Sequence, residues 1–249
     1  LHCITSPSIG GIQKLVIELA IEQKNQGVEV AIMLDSRQGA YLKILTDNKI
    51  SIIDSGITGG YNFSFSKLKR IKRIYSKFSI VHLHNFSLLR LLAISSSNIV
   101  YTIHGLSKGV RKENFFKYTF RESLKKFFLN KVDFFIANSE YTLAKAKSHY
   151  GLEKTKTKAI LNGIPIPTSI SNDVHDSNNM FTIGLVSRFT ERKRIDRLIN
   201  GFDVFLKNGG KGRLVLVGDG AAIGDVTSQI AMLSLSDHIE LVGYTDKVS

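Results

Sequence analysis

Short runs rich in β-branched residues alternate with helix-length segments along this sequence, and that alternation restricts the fold more than any other feature. Residues 1–5, 28–34, 50–54, 80–84, 99–103 and 132–137 are such runs, each bounded by polar residues or glycine. Between the first two lies the clearest helix, residues 12–26. Its Leu15, Val16, Leu19 and Ala20 recur at helical spacing, and Gly27 ends it. Strand–helix–strand repetition of this kind builds βαβ units, in which helices cover a parallel sheet on both faces. The composition turns linker-like over residues 162–179, where two of the three prolines and a polar run fall. Past it the alternation resumes, with strands at 181–186, 213–217 and 238–242 and helices at 194–207 and 221–233. The expected fold class is α/β, with one domain over 1–170, a linker over 171–179 and a second unit over 180–249. Three strands make only part of a doubly wound sheet, so the second unit reads as incomplete and the chain as truncated.

Charge narrows the partners. The 249 residues include 34 Lys or Arg and 21 Asp or Glu, a net +13. Residues 67–131 carry 15 basic and 2 acidic side chains, an excess equal to that of the whole chain. In 67–78, Leu68, Ile71, Ile74, Tyr75 and Phe78 form one helical stripe ringed by lysine and arginine. Residues 112–131 interleave Phe115, Phe116, Phe120, Leu124, Phe127 and Phe128 with further basic residues. Such stripes either pack on a sheet with their cations in solvent or lie on an anionic bilayer, each cation then contributing about 1 kcal/mol. Nucleic acid is disfavoured, since neither zinc-finger spacing nor an RNP-like aromatic signature is present. The single Cys3 excludes an intramolecular disulfide and a cysteine-rich zinc site, which favours a reducing compartment. No stretch approaches 18 uninterrupted apolar residues, so no membrane span is expected. The sequence opens at Leu1 inside a strand-like run, so a short preceding piece is expected and no secretory signal is read.

Four places could carry chemistry. Gly10-Gly11 separate the first strand from the first helix, where backbone N–H groups can approach an anion; a tight turn is the competing explanation. His82-Leu-His84 and Thr102-Ile-His104-Gly105 end the fourth and fifth strands, the edge at which open α/β sheets bind ligands. The first pair can bind a metal, although no carboxylate or cysteine accompanies it, or these residues hydrogen-bond to nearby backbone; His104 precedes a glycine that permits close ligand approach. After the first strand of the second unit, Arg188 and Lys193 can converge on one polyanion or form a solvated charge run. Val217-Gly218-Asp219-Gly220 follows the next strand and lets a ligand approach the backbone.

Taken in order, Ile4-Thr-Ser-Pro-Ser-Ile-Gly-Gly11, Val81-His-Leu-His84, Thr102-Ile-His-Gly105, Ala137-Asn-Ser-Glu140, Leu161-Asn-Gly-Ile-Pro165, Gly184-Leu-Val-Ser-Arg188 with Glu191 and Lys193, Leu216-Val-Gly-Asp-Gly220 and Leu241-Val-Gly-Tyr244 resemble the family-four glycosyltransferases. The resemblance implies a GT-B-like fold of two Rossmann-like doubly wound domains and a retaining sugar transferase of the bacterial surface-polysaccharide or lipopolysaccharide type. It implies that Gly10, Gly11, Gly218 and Gly220 border a nucleotide-sugar donor and that His104 faces the transferred sugar. Arg188 and Lys193 would neutralise the departing diphosphate, which leaves no need for a metal ion or other cofactor. The expected partners are the nucleotide sugar, a membrane-associated glycan or lipid acceptor, and an anionic membrane surface through residues 67–131. The expected location is cytoplasmic, peripheral at the inner face of the cell membrane. Two departures stand out. Arg194 occupies a position usually small in the family, and no glutamate has a second one eight residues on, so the family's Glu-x7-Glu pair is missing. Little turnover is therefore expected of these 249 residues alone. A nucleotide-sugar epimerase of the same architecture and a non-catalytic module that binds anionic surfaces are the alternatives.

Overall fold

The computed structural model describes residues 1–57, 64–94, 98–106, 115–152, 156–164, 166 and 180–245. The expected linker at 171–179 lies outside the described residues, as do Pro165 and the stretch 107–114 within the basic segment. The chain divides into unit 1, Leu1–Ile166, and unit 2, Pro167–Ser249.

Unit 1 is a wholly parallel seven-stranded sheet. Its strands are β1 (His2–Ile4), β2 (Ala31–Leu34), β3 (Ser51–Asp54), β4 (Ile80–Leu83), β5 (Asn98–Ile103), β6 (Phe134–Ala137) and β7 (Lys156–Ala159), in the order β3-β2-β1-β4-β5-β6-β7. The connecting helices are α1 (Gly11–Asn25), α2 (Leu42–Asp47), α3 (Phe65–Tyr75), α4 (Leu88–Leu92), α5 (Phe115–Leu129) and α6 (Glu140–Tyr150). Strand order grows outward from β1 in one direction and then reverses, so right-handed crossovers send the first two helices to one face and the rest to the other. The cores record that split. Val16, Ile17 and Ala20 of α1 and Leu45 of α2 pack with Ile4, Ile32 and Leu34, whereas Ile71, Leu91, Phe128 and Ala146 of the later helices pack with Cys3, Met33, Val81 and Leu83. Alternate residues of one strand thus enter different cores, as the period of two requires.

The stripe read on 67–78 is part of that second core. Ile71 and Tyr75 are fully buried and Leu68, Ile74 and Phe78 pack against the same cluster, so the basic face of α3 and not its apolar stripe meets solvent. At about 1.5–3 kcal/mol for each fully buried large apolar side chain, this docking is favoured over exposure to water. On α5, Phe128 and Leu129 are buried while Phe120 and Phe127, seven residues apart on one face, stay exposed. Lys131 Nζ lies 4.2 Å from the centre of the Phe127 ring.

Unit 2 has three parallel strands, β8 (Phe181–Val186), β9 (Gly212–Val217) and β10 (Ile239–Gly243), in the order β10-β9-β8. Helices α7 (Ile195–Lys207) and α8 (Ile223–Met232) contribute Ile195, Ile199, Phe202, Val226 and Ile230 to a core with Leu214 and Leu216. Val186 and Val242 are exposed. Among the described residues no helix is long and apolar enough to cross a membrane.

Candidate functional site

In unit 1 the sequence-predicted residues gather at the carboxyl ends of β1, β4 and β5, where strand order reverses and open α/β sheets bind ligands. The loop after β1 is pinned from below. The backbone N–H groups of Asp35 and Ser36 both donate to Thr5 O at 2.9 Å, and that of Tyr41 donates to Pro7 O at 2.9 Å. Helix α1 then starts at Gly11 with no side-chain cap and no acidic residue in its first turn. Gly10 has an extended backbone (φ 173°), and a Cβ built on it meets only the flexible Gln13 side chain, 2.4 Å from Oε1. A Cβ on Gly11 meets nothing within 4 Å. Neither glycine is demanded by a tight turn; Gly11 leaves open space beside the uncapped start of α1, and Gly10 leaves room for the Gln13 side chain.

A buried arginine supports this edge of the sheet. Arg90, inside the apolar run of α4, is wholly buried; its Nη2 donates to Ile4 O at 2.8 Å and to Asp35 Oδ1 at 2.7 Å, while Nη1 donates to Asn85 Oδ1. Ser55 Oγ donates to the same Asp35 oxygen at 2.7 Å. One guanidinium therefore ties together the ends of β1, β2 and β4, and Asp35 links it on to the end of β3. Sequence reasoning missed this role, although a lone arginine among leucines is its visible signal.

His84 and His104 sit beside this edge, joined by two residues that sequence reasoning did not single out. His2 on β1 and Gln23 on α1 extend a line of polar groups across the α1 face of the sheet. Gln23 Oε1 is 2.8 Å from His2 Nε2, His2 Nδ1 is 3.0 Å from His84 Nε2, and His84 Nδ1 is 3.3 Å from His104 Nε2. His82 bonds to Thr102 Oγ1 at 2.7 Å. The partners of these histidines are thus side chains, not the neighbouring backbone. Burial disfavours the imidazolium: His2 is lowered to about 4 and His82 to about 3, and His84 and His104 are also lowered. Gly105 has φ 151° and open space beyond it, so glycine is required there by backbone conformation and leaves room beside His104. Asn138 Nδ2 donates to His104 O at 3.2 Å.

Three of the rings, His2, His82 and His84, offer nitrogens that all lie within 4.8 Å of one another, and neutral imidazoles are metal ligands. A metal would need the lone pairs that the bonds among His2, His84 and Thr102 already use. Hydrogen bonding accounts for the cluster more completely.

In unit 2, β8 leads into Ser187-Arg188-Phe189. The fully buried Phe189 anchors this turn, and its N–H donates to Asp219 O at 2.8 Å. Arg188 and Lys193 are exposed, and among the described residues neither has a carboxylate partner. Arg194 is committed elsewhere, its Nε and Nη2 donating to the two Asp196 oxygens at 2.9 and 2.6 Å. Arg194 also has φ 50°, the left-handed conformation in which a glycine carries no Cβ penalty, which explains why a small residue would suit this position. Gly218 and Gly220 have φ 139° and 153°. A Cβ on Gly218 would lie 1.8 Å from Ser187 O, and one on Gly220 would lie 2.3 Å from Phe189 O. These glycines let two backbone turns touch, which holds the turn bearing Arg188.

Two Rossmann-like α/β units, the first with its strand order reversing between β1 and β4, match the architecture of the GT-B fold class. The sequence profile of Glycosyltransferase Family 4 matches residues 9–166, more than half of the chain. The protein belongs to that family. HepE of Anabaena, solved in complex with UDP, is 19% identical and superposes with a TM-score of 0.76, over 99% of this chain and 69% of that one. A glycosyltransferase from Rickettsia africae is also 19% identical, with a TM-score of 0.72 over 98% of this chain and 68% of that one. The lipopolysaccharide outer core galactosyltransferase WaaB is 13% identical, with a TM-score of 0.65 over 98% and 68% of the two chains. No protein of curated function matches the sequence.

Proposed function

We propose that the protein is a retaining glycosyltransferase that moves a sugar from a nucleotide-sugar donor to a membrane-associated saccharide or lipid-linked acceptor of bacterial surface-polysaccharide synthesis. The observation that carries this reading is the uncapped N-terminus of α1 with open space at Gly11, at the same carboxyl edge of the sheet that bears His104, in a chain of this family. The donor diphosphate lies against Gly10 and Gly11 and the transferred sugar beside His104. Unit 1 is the acceptor-side domain and unit 2 the donor-side domain. Arg188 and Lys193 neutralise the negative charge that builds on the leaving phosphate. Fixed cations stabilise that charge most in the transition state, so no metal ion is needed. HepE, a structural relative, is solved with UDP, which favours a uridine nucleotide as the first probe.

The exposed Phe120 and Phe127 of α5 and the lysine and arginine face of α3 support a further part of this reading, in which the protein rests on the anionic inner face of the cell membrane. The apolar stripe of α3 takes no part in this, being core. The 249 residues hold no Glu-x7-Glu pair, so turnover by this chain is low and nucleotide binding is the sharper test.

Calorimetric titration with UDP, GDP and ADP is expected to find at least one ligand. Arg188→Ala should weaken it about tenfold without altering thermal stability or retention on anionic vesicles, since a charge-assisted hydrogen bond is worth about 1.5–3 kcal/mol. Vesicle binding with no affinity for any nucleotide would leave only a surface-binding module. Conversion of a bound nucleotide sugar into its isomer would make the protein an epimerase.

A further inference from the structure

The hydrogen bonds from Gln23 through His2 and His84 to His104 form one directional chain. A neutral imidazole has one N–H and one lone pair, so in an unbroken chain each ring dictates the tautomer of the next. With Gln23 Oε1 as acceptor, His2 donates from Nε2 and accepts at Nδ1. His84 then donates from Nε2 and accepts at Nδ1, and His104 donates from Nε2. Turning the Gln23 amide over, so that its NH2 group donates, moves the proton of every ring to Nδ1. Burial keeps the rings neutral, so the chain has these two states.

The two states end differently at His104. Its Nδ1 is buried and has no partner among the described residues. The first state leaves a lone pair there and the second leaves an N–H. Orphaned buried N–H groups are rarer in folded proteins than under-satisfied acceptors, so the first state is favoured. Asn138, whose amide nitrogen donates to His104 O, likewise keeps its Oδ1 buried and without a partner among the described residues. The neighbouring ends of β5 and β6 therefore hold two buried acceptors that no described donor satisfies.

We propose that Gln23, through His2 and His84, sets the tautomer of His104 and so keeps its buried Nδ1 an acceptor, one that a ligand hydroxyl meets once binding opens access to it. The three are positioning residues, and the proposal rests on the reading of His104 as the residue that faces the transferred sugar. Gln23 lies on α1 and is only partly buried, so the chain can be addressed from the surface.

The test compares the full chain with Gln23→Glu, which can only accept, and Gln23→Lys, which can only donate. Long-range 1H–15N spectra of histidine-labelled protein report which ring nitrogen carries the proton. The wild type and Gln23→Glu are expected to show His104 protonated at Nε2, and Gln23→Lys to move the proton to Nδ1 in His2, His84 and His104 alike. Adding His84→Phe to Gln23→Lys should isolate His104 from the change. Gln23→Met, which removes the acceptor without adding a donor, serves if lysine is not tolerated and should leave His104 a mixture of tautomers. A His104 spectrum identical in all Gln23 variants overturns the proposal. So does one equivalent of Zn2+ shifting His2, His82 and His84 together, since those nitrogens would then be metal ligands. A second measurement separates this outcome from the functional reading. Gln23→Lys should weaken UDP-glucose by up to about tenfold while leaving UDP within about twofold, since only the sugar meets His104. Equal weakening of both ligands contradicts the positioning role. If the wild type binds neither, the functional reading fails while the tautomer result stands.

Discussion

The glycine turns of the two units look alike in sequence and differ in what they do. Both follow a strand and precede a helix. In unit 1 a side chain at Gly11 would enter open space, whereas in unit 2 a side chain at Gly218 would strike Ser187 O. The first turn leaves open space at Gly11; the second lets another turn of the same chain pack against it. A glycine-rich motif therefore identifies close approach without saying what approaches. The neighbouring side chains differ in the same sense. Unit 1 lines its edge with buried neutral histidines and a buried Arg90–Asp35 pair, and unit 2 offers the exposed Arg188 and Lys193.

The largest expected effect that separates the units is acid sensitivity. The folded-state pKa values of His2 and His82, about 4 and about 3, lie below the ordinary 6.5. Between those limits the unfolded chain takes up protons that the folded chain refuses. Stability is therefore complete above about pH 6.5 and falls as the pH drops toward 4, by about 1.4 kcal/mol per pH unit for each group. Arg90 and His104 add nearby positive charge in the same direction. Hydrogen exchange resolved by unit should show unit 1 opening at pH 4.5 while unit 2 stays protected; simultaneous opening would remove the contrast.

Gly218→Ala comes next. A Cβ so close to a backbone oxygen, at φ 139°, is expected to destabilise unit 2 by about 2–3 kcal/mol, read as a lowered urea midpoint. A wild-type midpoint would mean that the two turns are not in contact. The smallest effect belongs to Arg194→Gly. Relief of the left-handed backbone at φ 50° outweighs the loss of an exposed ion pair with Asp196, so unit 2 should gain up to about 1 kcal/mol. A loss of stability in the same melt would make the Asp196 pair the stronger term.

Sequence pattern exposed most of the sheet, because seven of the ten strands sit in apolar runs with clear punctuation on both sides, and two more, β9 and β10, fall within a residue or so of the expected positions. The strand it missed, β7, reads Lys-Thr-Lys-Ala; as the edge of the sheet it has a partner on one side only and needs little apolar surface. Helix α6 was equally hidden in a polar stretch, although Ser139 caps it by accepting from Thr142 N and Gly151 ends it in the left-handed conformation. Of the site, the strand-end residues were legible because their position follows from strand order. Gln23 and His2 were not, since hydrogen bonds between residues 21 and 82 positions apart leave no local pattern. Arg90 left no such pattern either, because burial of a charge depends on a partner, Asp35, that lies 55 residues away.

The open glycine turn is the point on which the functional reading depends. Calorimetric titration of UDP into Gly11→Ala beside the wild type tests it most directly. Because a Cβ at Gly11 touches nothing, the variant should melt with the wild type, and because that Cβ occupies the space reserved for phosphate, it should bind UDP at least about tenfold more weakly. Unchanged UDP affinity in an equally stable Gly11→Ala would contradict the placement of the donor diphosphate at the start of α1.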